Sequence, residues 1–236
     1  MMLPKKRMKW IVILLTFFWL PVTPKASALG IDFTERTYFN KDGSGLFSLK
    51  VDLTKSRHLI GLIKCLNKEY EGITKLIGYN AFYATKQQFK KMPGISGIRI
   101  KHDEKMLKFT LRFAFKTIQA LNNAMRKMNQ GIDPIPITYF SLSDTLFVRE
   151  DMHGIAKRLI CYQQHDNCLI KSLNLASFFK EITYTTIYTF PRKIQDASNR
   201  FSEITKDGKT IRITHHILSA DEAEESIANR VHFMVK

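Results

Sequence analysis

Between Leu107 and Phe115 a large apolar side chain falls on every second residue. Leu107, Phe109, Leu111, Phe113 and Phe115 point one way, with Lys108, Thr110, Arg112 and the small Ala114 between them. A period of two belongs to a strand with one buried and one wet face, and no helix carries it. Phe47, Leu49, Val51 and Leu53 repeat the pattern against Ser48, Lys50 and Asp52. The chain must therefore fold around half-buried strands.

Turn chemistry joins such strands into hairpins. The first is predicted from Ile31–Asn40 and Leu46–Leu53 around Asp42-Gly43-Ser44, since Gly supplies the positive φ of tight turns. A three-residue loop sets Phe39 against Phe47, Phe33 against Leu53 and Glu35 against Val51. The second pairs Ile98–Lys101 with Met106–Phe115 across His102–Lys105. That register sets Ile100 against Leu107 and Arg99 against Lys108, with Lys101 and Arg112 nearby, a stripe of like charges that costs stability unless something neutralises it. Screening by solvent is the plain reading of this stripe and an anionic partner the functional one. A third, shorter hairpin is expected from Ile137–Leu142 and Thr145–Arg149. The last joins Phe201–Lys206 to Lys209–His215 through Asp207-Gly208, with Ile204 against Ile211 and Glu203 against Arg212. Ile182–Phe190, rich in Thr, Tyr and Ile, reads as a strand, and Arg230–Val235 as a final one.

Helical spacing fills the gaps. Leu59, Leu62, Ile63, Leu66 and Tyr70 form one stripe after a Thr54 cap. Parts of Gly72–Met92, then Thr117–Met128, much of Gly154–Phe179 and a short acidic segment Ala220–Ser226 also read as helix. The expectation is an α+β fold: an antiparallel sheet built from hairpins, helices packed on one face, in a single domain.

The N-terminus assigns a compartment. Lys5, Lys6, Arg7 and Lys9 precede the apolar run Trp10–Leu20, and Ala26-Ser27-Ala28 has the small-x-small spacing read by signal peptidase. Residues 1–28 are expected to be a signal peptide cleaved between Ala28 and Leu29, leaving 29–236 as an exported envelope domain in the periplasm or beyond the cell. The run is about half of the ~20 residues that span a hydrocarbon core, so a retained anchor is the weaker alternative. Cleavage removes five of the 37 basic residues and none of the 21 acidic ones, which leaves +11. Outside a cell such a charge draws the chain to anionic lipid, glycolipid or an acidic envelope protein, and nucleic acid is not expected there. The plain alternative is a lysine-rich, solvated surface.

An oxidising compartment permits disulfides. Cys161 and Cys168 flank a short polar segment and are expected to pair. A metal site using His165 as well is disfavoured, because zinc pairs want two to four intervening residues and a second cluster. Cys65 is expected as a buried free thiol. No phosphate loop, G-x-S-x-G elbow or H-E-x-x-H helix is present, so no catalytic residue, metal or cofactor is assigned.

Tyr38–Leu53, with its Asp42-Gly43-Ser44-Gly45 turn, follows the signal segment directly. Tyr188–Gln195 runs into Ser202–Ile211 with its Asp207-Gly208-Lys209-Thr210 turn. This ordering resembles uncharacterised exported proteins and lipoproteins of Bacteroidota-type bacteria, and the mycobacterial LppM-type lipoprotein domain. The resemblance implies an α+β envelope domain and, for the LppM-like group, lipid or glycolipid binding. It brings no catalytic residues, and the lipobox Cys of the lipoprotein members is missing here. The function expected is non-catalytic binding at the envelope. The alternative is an exported hydrolase or metal-dependent enzyme whose site assembles from distant residues.

Overall fold

A computed structural model describes residues 30–57, 79–103, 105, 107–128, 138–151, 181–216 and 226–235. Strands β1 (Gly30–Phe39), β2 (Gly45–Asp52), β3 (Ile95–Asp103) and β4 (Lys108–Phe115) come first in the chain, with helix α1 (Tyr79–Phe89) ahead of β3. Helix α2 (Ile118–Met128) follows, then β5 (Phe140–Leu142), β6 (Leu146–Arg149), β7 (Glu181–Thr189), β8 (Ile194–Ala197), β9 (Glu203–Ile204), β10 (Thr210–His216) and β11 (Asn229–Phe233). Seven strands form one sheet in the order β3-β4-β2-β1-β7-β10-β9, and four form a second in the order β5-β6-β11-β8.

Alternation does what the sequence requires. Along β4, Phe109, Leu111, Phe113 and Phe115 are buried, and along β1, Ile31, Phe33 and Phe39 are. Both helices contribute to the same inner face. Phe89 closes α1 with its ring edge-on to Phe113, centroids 5.1 Å apart. Leu121, Ala124 and Met125 bury one side of α2, which starts where the Thr117 hydroxyl accepts a hydrogen bond from the Ala120 amide (3.1 Å). The rest of that face is covered by the second sheet, so Phe39 meets Phe140, Phe147 and Phe190 as well as Phe115. One apolar cluster runs through both sheets and both helices, and the α+β domain is single.

The sheet is mixed rather than purely antiparallel, because β7 lies parallel to β1 over its whole length, Gly30 against Glu181 through Tyr38 against Thr189. A parallel neighbour needs a long connection, which hairpin logic cannot see. Registers also correct two expectations. Phe39 faces Gly45 and Phe33 faces Val51, two residues from the predicted pairing, and Glu35 stands against Leu49. The turn is five residues long, with Asn40 and Ser44 joined through the backbone and the Asp42 carboxylate accepting from the Ser44 amide (3.0 Å) and hydroxyl (2.7 Å). In the second hairpin Ile100 pairs with Leu111 and Arg99 with Arg112. Leu107 is spent in the turn at φ 51, where its carbonyl accepts from the Leu53 amide (3.0 Å). Both slips are by an even number of residues, so side chains along Asp32–Phe39 and Arg99–Asp103 keep their face, while a bulge between Ser96 and Arg99 shifts the rest of β3 by one.

The last hairpin has the predicted register, Ile204 against Ile211 and Glu203 against Arg212. Thr54 opens a short turn, and the helix it is expected to cap lies mostly outside the described residues. The Thr54 amide and hydroxyl donate to Asp52, and a short 3-10 turn, Thr54–Ser56, follows Leu53 without a side-chain cap. Most of the helix predicted after it, those over Gly154–Phe179 and Ala220–Ser226, the segment up to Leu29 and all three cysteines lie outside the described residues. No helix among the described residues is long and apolar enough to cross a membrane.

Candidate anion-binding face and a buried charge cluster

Among the described residues the second sheet and the helices cover the inner face, and the outer face of the large sheet carries the polar alternates, its arginines exposed and Thr185 buried. Register places these alternates in rows. One row runs Arg99, Arg112, Ser48, Arg36, Ile187, Arg212 and Glu203 across all seven strands. The next holds Lys101, Thr110, Lys50, Thr34, Thr185 and Thr214. Beyond it lie Asp103, Lys108, Asp52 and Asp32. On the other side, toward the β1–β2 turn, Leu46 pairs with Tyr38, and these two are 38% and 40% exposed. Along the strands the face therefore changes from acidic to basic to apolar.

The acidic row is neutralised where it stands. Asp52 holds Lys50 at 3.1 Å and Lys108 at 3.5 Å, and Asp32 holds Lys55 at 3.1 Å. Burial pushes the Asp52 carboxyl up, but hydrogen bonds from Thr54 and Lys50 and the Lys50 charge outweigh it and set its pKa below the usual value. The arginines in the basic row have no such partner among the described residues. Arg36, Arg99, Arg112 and Arg212 are exposed, and none forms an ion pair with a described residue, Arg212 opposite Glu203 included. Of the stripe read from sequence, Arg99, Lys101 and Arg112 stand together on this face, whereas Lys108 is drawn to Asp52. Sequence reasoning missed Arg36 and Arg212, because a hairpin shows two neighbouring strands and the row needs six. Ala28, Leu29, Cys161 and Cys168 lie outside the described residues.

Between the two central arginines the surface dips. Ser48 is the short residue between Arg112 and Arg36, and a notch of about 140 Å³ opens there, bounded also by Tyr38 and Leu46. A larger concavity of about 360 Å³ lies at the β1–β2 turn against Ser143, Asp144 and Arg192. Its arginine is already held by the Asp144 carboxylate at 2.5 Å.

The inner face carries a second constellation. Glu35, at an inward position of β1, is fully buried and ion-paired with the equally buried Arg149 of β6 (3.1 Å). Tyr184 and Tyr188 donate to its two oxygens at 2.6 Å each, and Arg149 donates to the Tyr188 hydroxyl (2.9 Å) and the Glu150 carbonyl (2.6 Å). The Arg149 guanidinium lies 4.6 Å from the Phe140 ring centroid. Burial alone disfavours its charge, yet Glu35 and the two phenols more than offset this and raise its pKa further. Burial first, and then the Glu35 carboxylate, holds both phenols well above their ordinary pKa. Every charged atom here is satisfied and sealed from solvent, so the cluster ties β1 and β7 to β6 of the second sheet rather than meeting a ligand. Glu35 was legible as a carboxylate among inward apolar positions, but its partner lies 114 residues away.

No family model and no curated protein matches the chain. Among solved structures it is similar to the folded domain of the Mycobacterium tuberculosis LppM protein, determined by NMR, at 5% sequence identity over 87% of this chain and 91% of that one, with a TM-score of 0.42.

Proposed function

We propose that this is an exported, non-catalytic envelope protein whose open sheet face docks on anionic lipid. The observation that supports this best is the row of four exposed arginines that form no ion pair with a described residue, next to an exposed Tyr38–Leu46 pair. Like charges set opposite each other, as Arg99 and Arg112 are, cost stability in the free protein, and an anionic surface removes that cost. The apolar pair at the end of the basic band suits the boundary between headgroups and acyl chains, with the cations behind it at headgroup level. Residues 1–28 serve as the signal peptide in this reading, Ala28 and Leu29 flank the cut, and Cys161 pairs with Cys168 in the oxidising compartment.

Cosedimentation of the periplasmically expressed protein with phosphatidylglycerol and with phosphatidylcholine vesicles tests the reading. Binding to the anionic vesicles alone is expected, weakening steeply between low and high salt. Equal binding to both, or to neither, overturns it, and capture by a purified acidic protein instead moves the face to a protein partner. Intact mass of the same sample checks processing, with the mass of 29–236 less two hydrogens expected.

A further inference from the structure

The notch over Ser48 differs from the rest of the basic band. Arg36 and Arg112 lie on the strands either side of β2, in register with Ser48 between them. Two interstrand spacings separate their backbones by about 10 Å, a gap that two arginine side chains leaning over a serine can close around one group. Arg36, Arg112 and Ser48 line the notch, and none of its lining residues is acidic. We propose that it is a site for a single phosphomonoester headgroup of a lipid.

Charge supports a monoester over a diester. A monoester phosphoryl group carries between one and a half and two negative charges at neutral pH (roughly) and three acceptor oxygens, which match two guanidinium forks and the Ser48 hydroxyl. A diester carries one charge and leaves one fork unanswered. Size supports a headgroup over a whole molecule. About 140 Å³ is well below the roughly 300–1,000 Å³ of pockets that enclose a drug-sized ligand. The remainder of the ligand must leave the notch, and Tyr38 and Leu46 border it with exposed apolar surface. A free phosphate ion makes no use of that border, whereas a lipid does.

This site rests on the lipid-docking reading, and the test separates the two. Wild-type protein is titrated with phosphatidic acid vesicles and with phosphatidylglycerol vesicles matched to the same surface potential, and inorganic phosphate is added as a competitor. The expected result is about tenfold tighter binding to phosphatidic acid. Arg36→Gln and Arg112→Gln should each abolish that preference and keep the weaker, shared binding. Arg99→Gln removes the same charge from the same face outside the notch, and should weaken both interactions alike. Circular dichroism confirms that each variant is folded, as these positions are exposed. If wild type binds both vesicles equally while the salt dependence persists, the site is wrong and the docking face stands. If it binds neither, the docking reading has failed. Full displacement by millimolar inorganic phosphate would overturn the lipid assignment and leave a site for the free ion.

Discussion

At the scale of single residues, the buried Glu35–Arg149 pair carries the largest consequences. Neither charge reaches water, so removing one strands the other in a low-dielectric interior. Arg149→Met is expected to cost about 3–5 kcal/mol, measured by urea unfolding. Glu35→Leu with Arg149→Met should cost much less than the sum of the single changes, and simple additivity would show that the pair is not coupled. The two tyrosines give a pH signature. Their folded pKa values lie above the ordinary 10.0, so below pH 10 both states hold these protons and the contribution is fully present. Above it the unfolded chain releases protons that the folded one keeps, and stability falls by about 1.4 kcal/mol per tyrosine per pH unit. The urea midpoint should therefore drop above pH 10, less steeply in Tyr184→Phe. A slope unchanged by that substitution would assign the effect elsewhere.

At the scale of elements, turns decided what alternation could not. Alternation specifies the face of every strand residue but leaves the pairing partner open by multiples of two. In the first hairpin the choice rests on Gly45, where an added Cβ would come within 2.0 Å of the Tyr38 carbonyl oxygen and 2.5 Å of the Phe115 ring. Only glycine lets β2 begin there, and the strand accordingly starts one residue before the predicted Leu46. Gly45→Ala is expected to lower stability by about 1–3 kcal/mol in thermal unfolding, through displaced backbone rather than a lost contact. An unchanged melting temperature would mean that the β1–β2 edge yields more readily than its packing suggests. In the second hairpin Leu107 left the strand for the turn, which moved Arg99 from Lys108 to Arg112. Lys108 pairs with Asp52, and Arg99 joins the row of arginines that form no ion pair with a described residue.

At the scale of the whole molecule, Phe39 joins the two sheets. Its ring contacts Phe115 on the large sheet and Phe140 and Phe147 on the small one, and stacks on Phe190 at 5.4 Å. A shared core of this kind makes the sheets one cooperative unit. Phe39→Ala should cost about 3–5 kcal/mol while calorimetry still records one transition. Two separable transitions would show that the small sheet melts independently. The same layering produces the candidate site, because the described helices and the small sheet cover one face of the large sheet and leave Arg36, Arg99, Arg112 and Arg212 exposed on the other.

The local sequence by itself determined most of the described strands, though not β8, and the helical character of α1 and α2, together with the faces they bury, the sites of both Asp-Gly turns and the basic character of the outer strand positions. Those properties depend on side-chain period and turn conformation, which act within a few residues. Tertiary structure alone decided that β7 runs parallel beside β1, that Arg36 and Arg212 line up with Arg99 and Arg112, and that Arg149 answers Glu35. Each of these brings together residues far apart in the chain, and the free energy that selects them comes from burying the faces of one sheet against another.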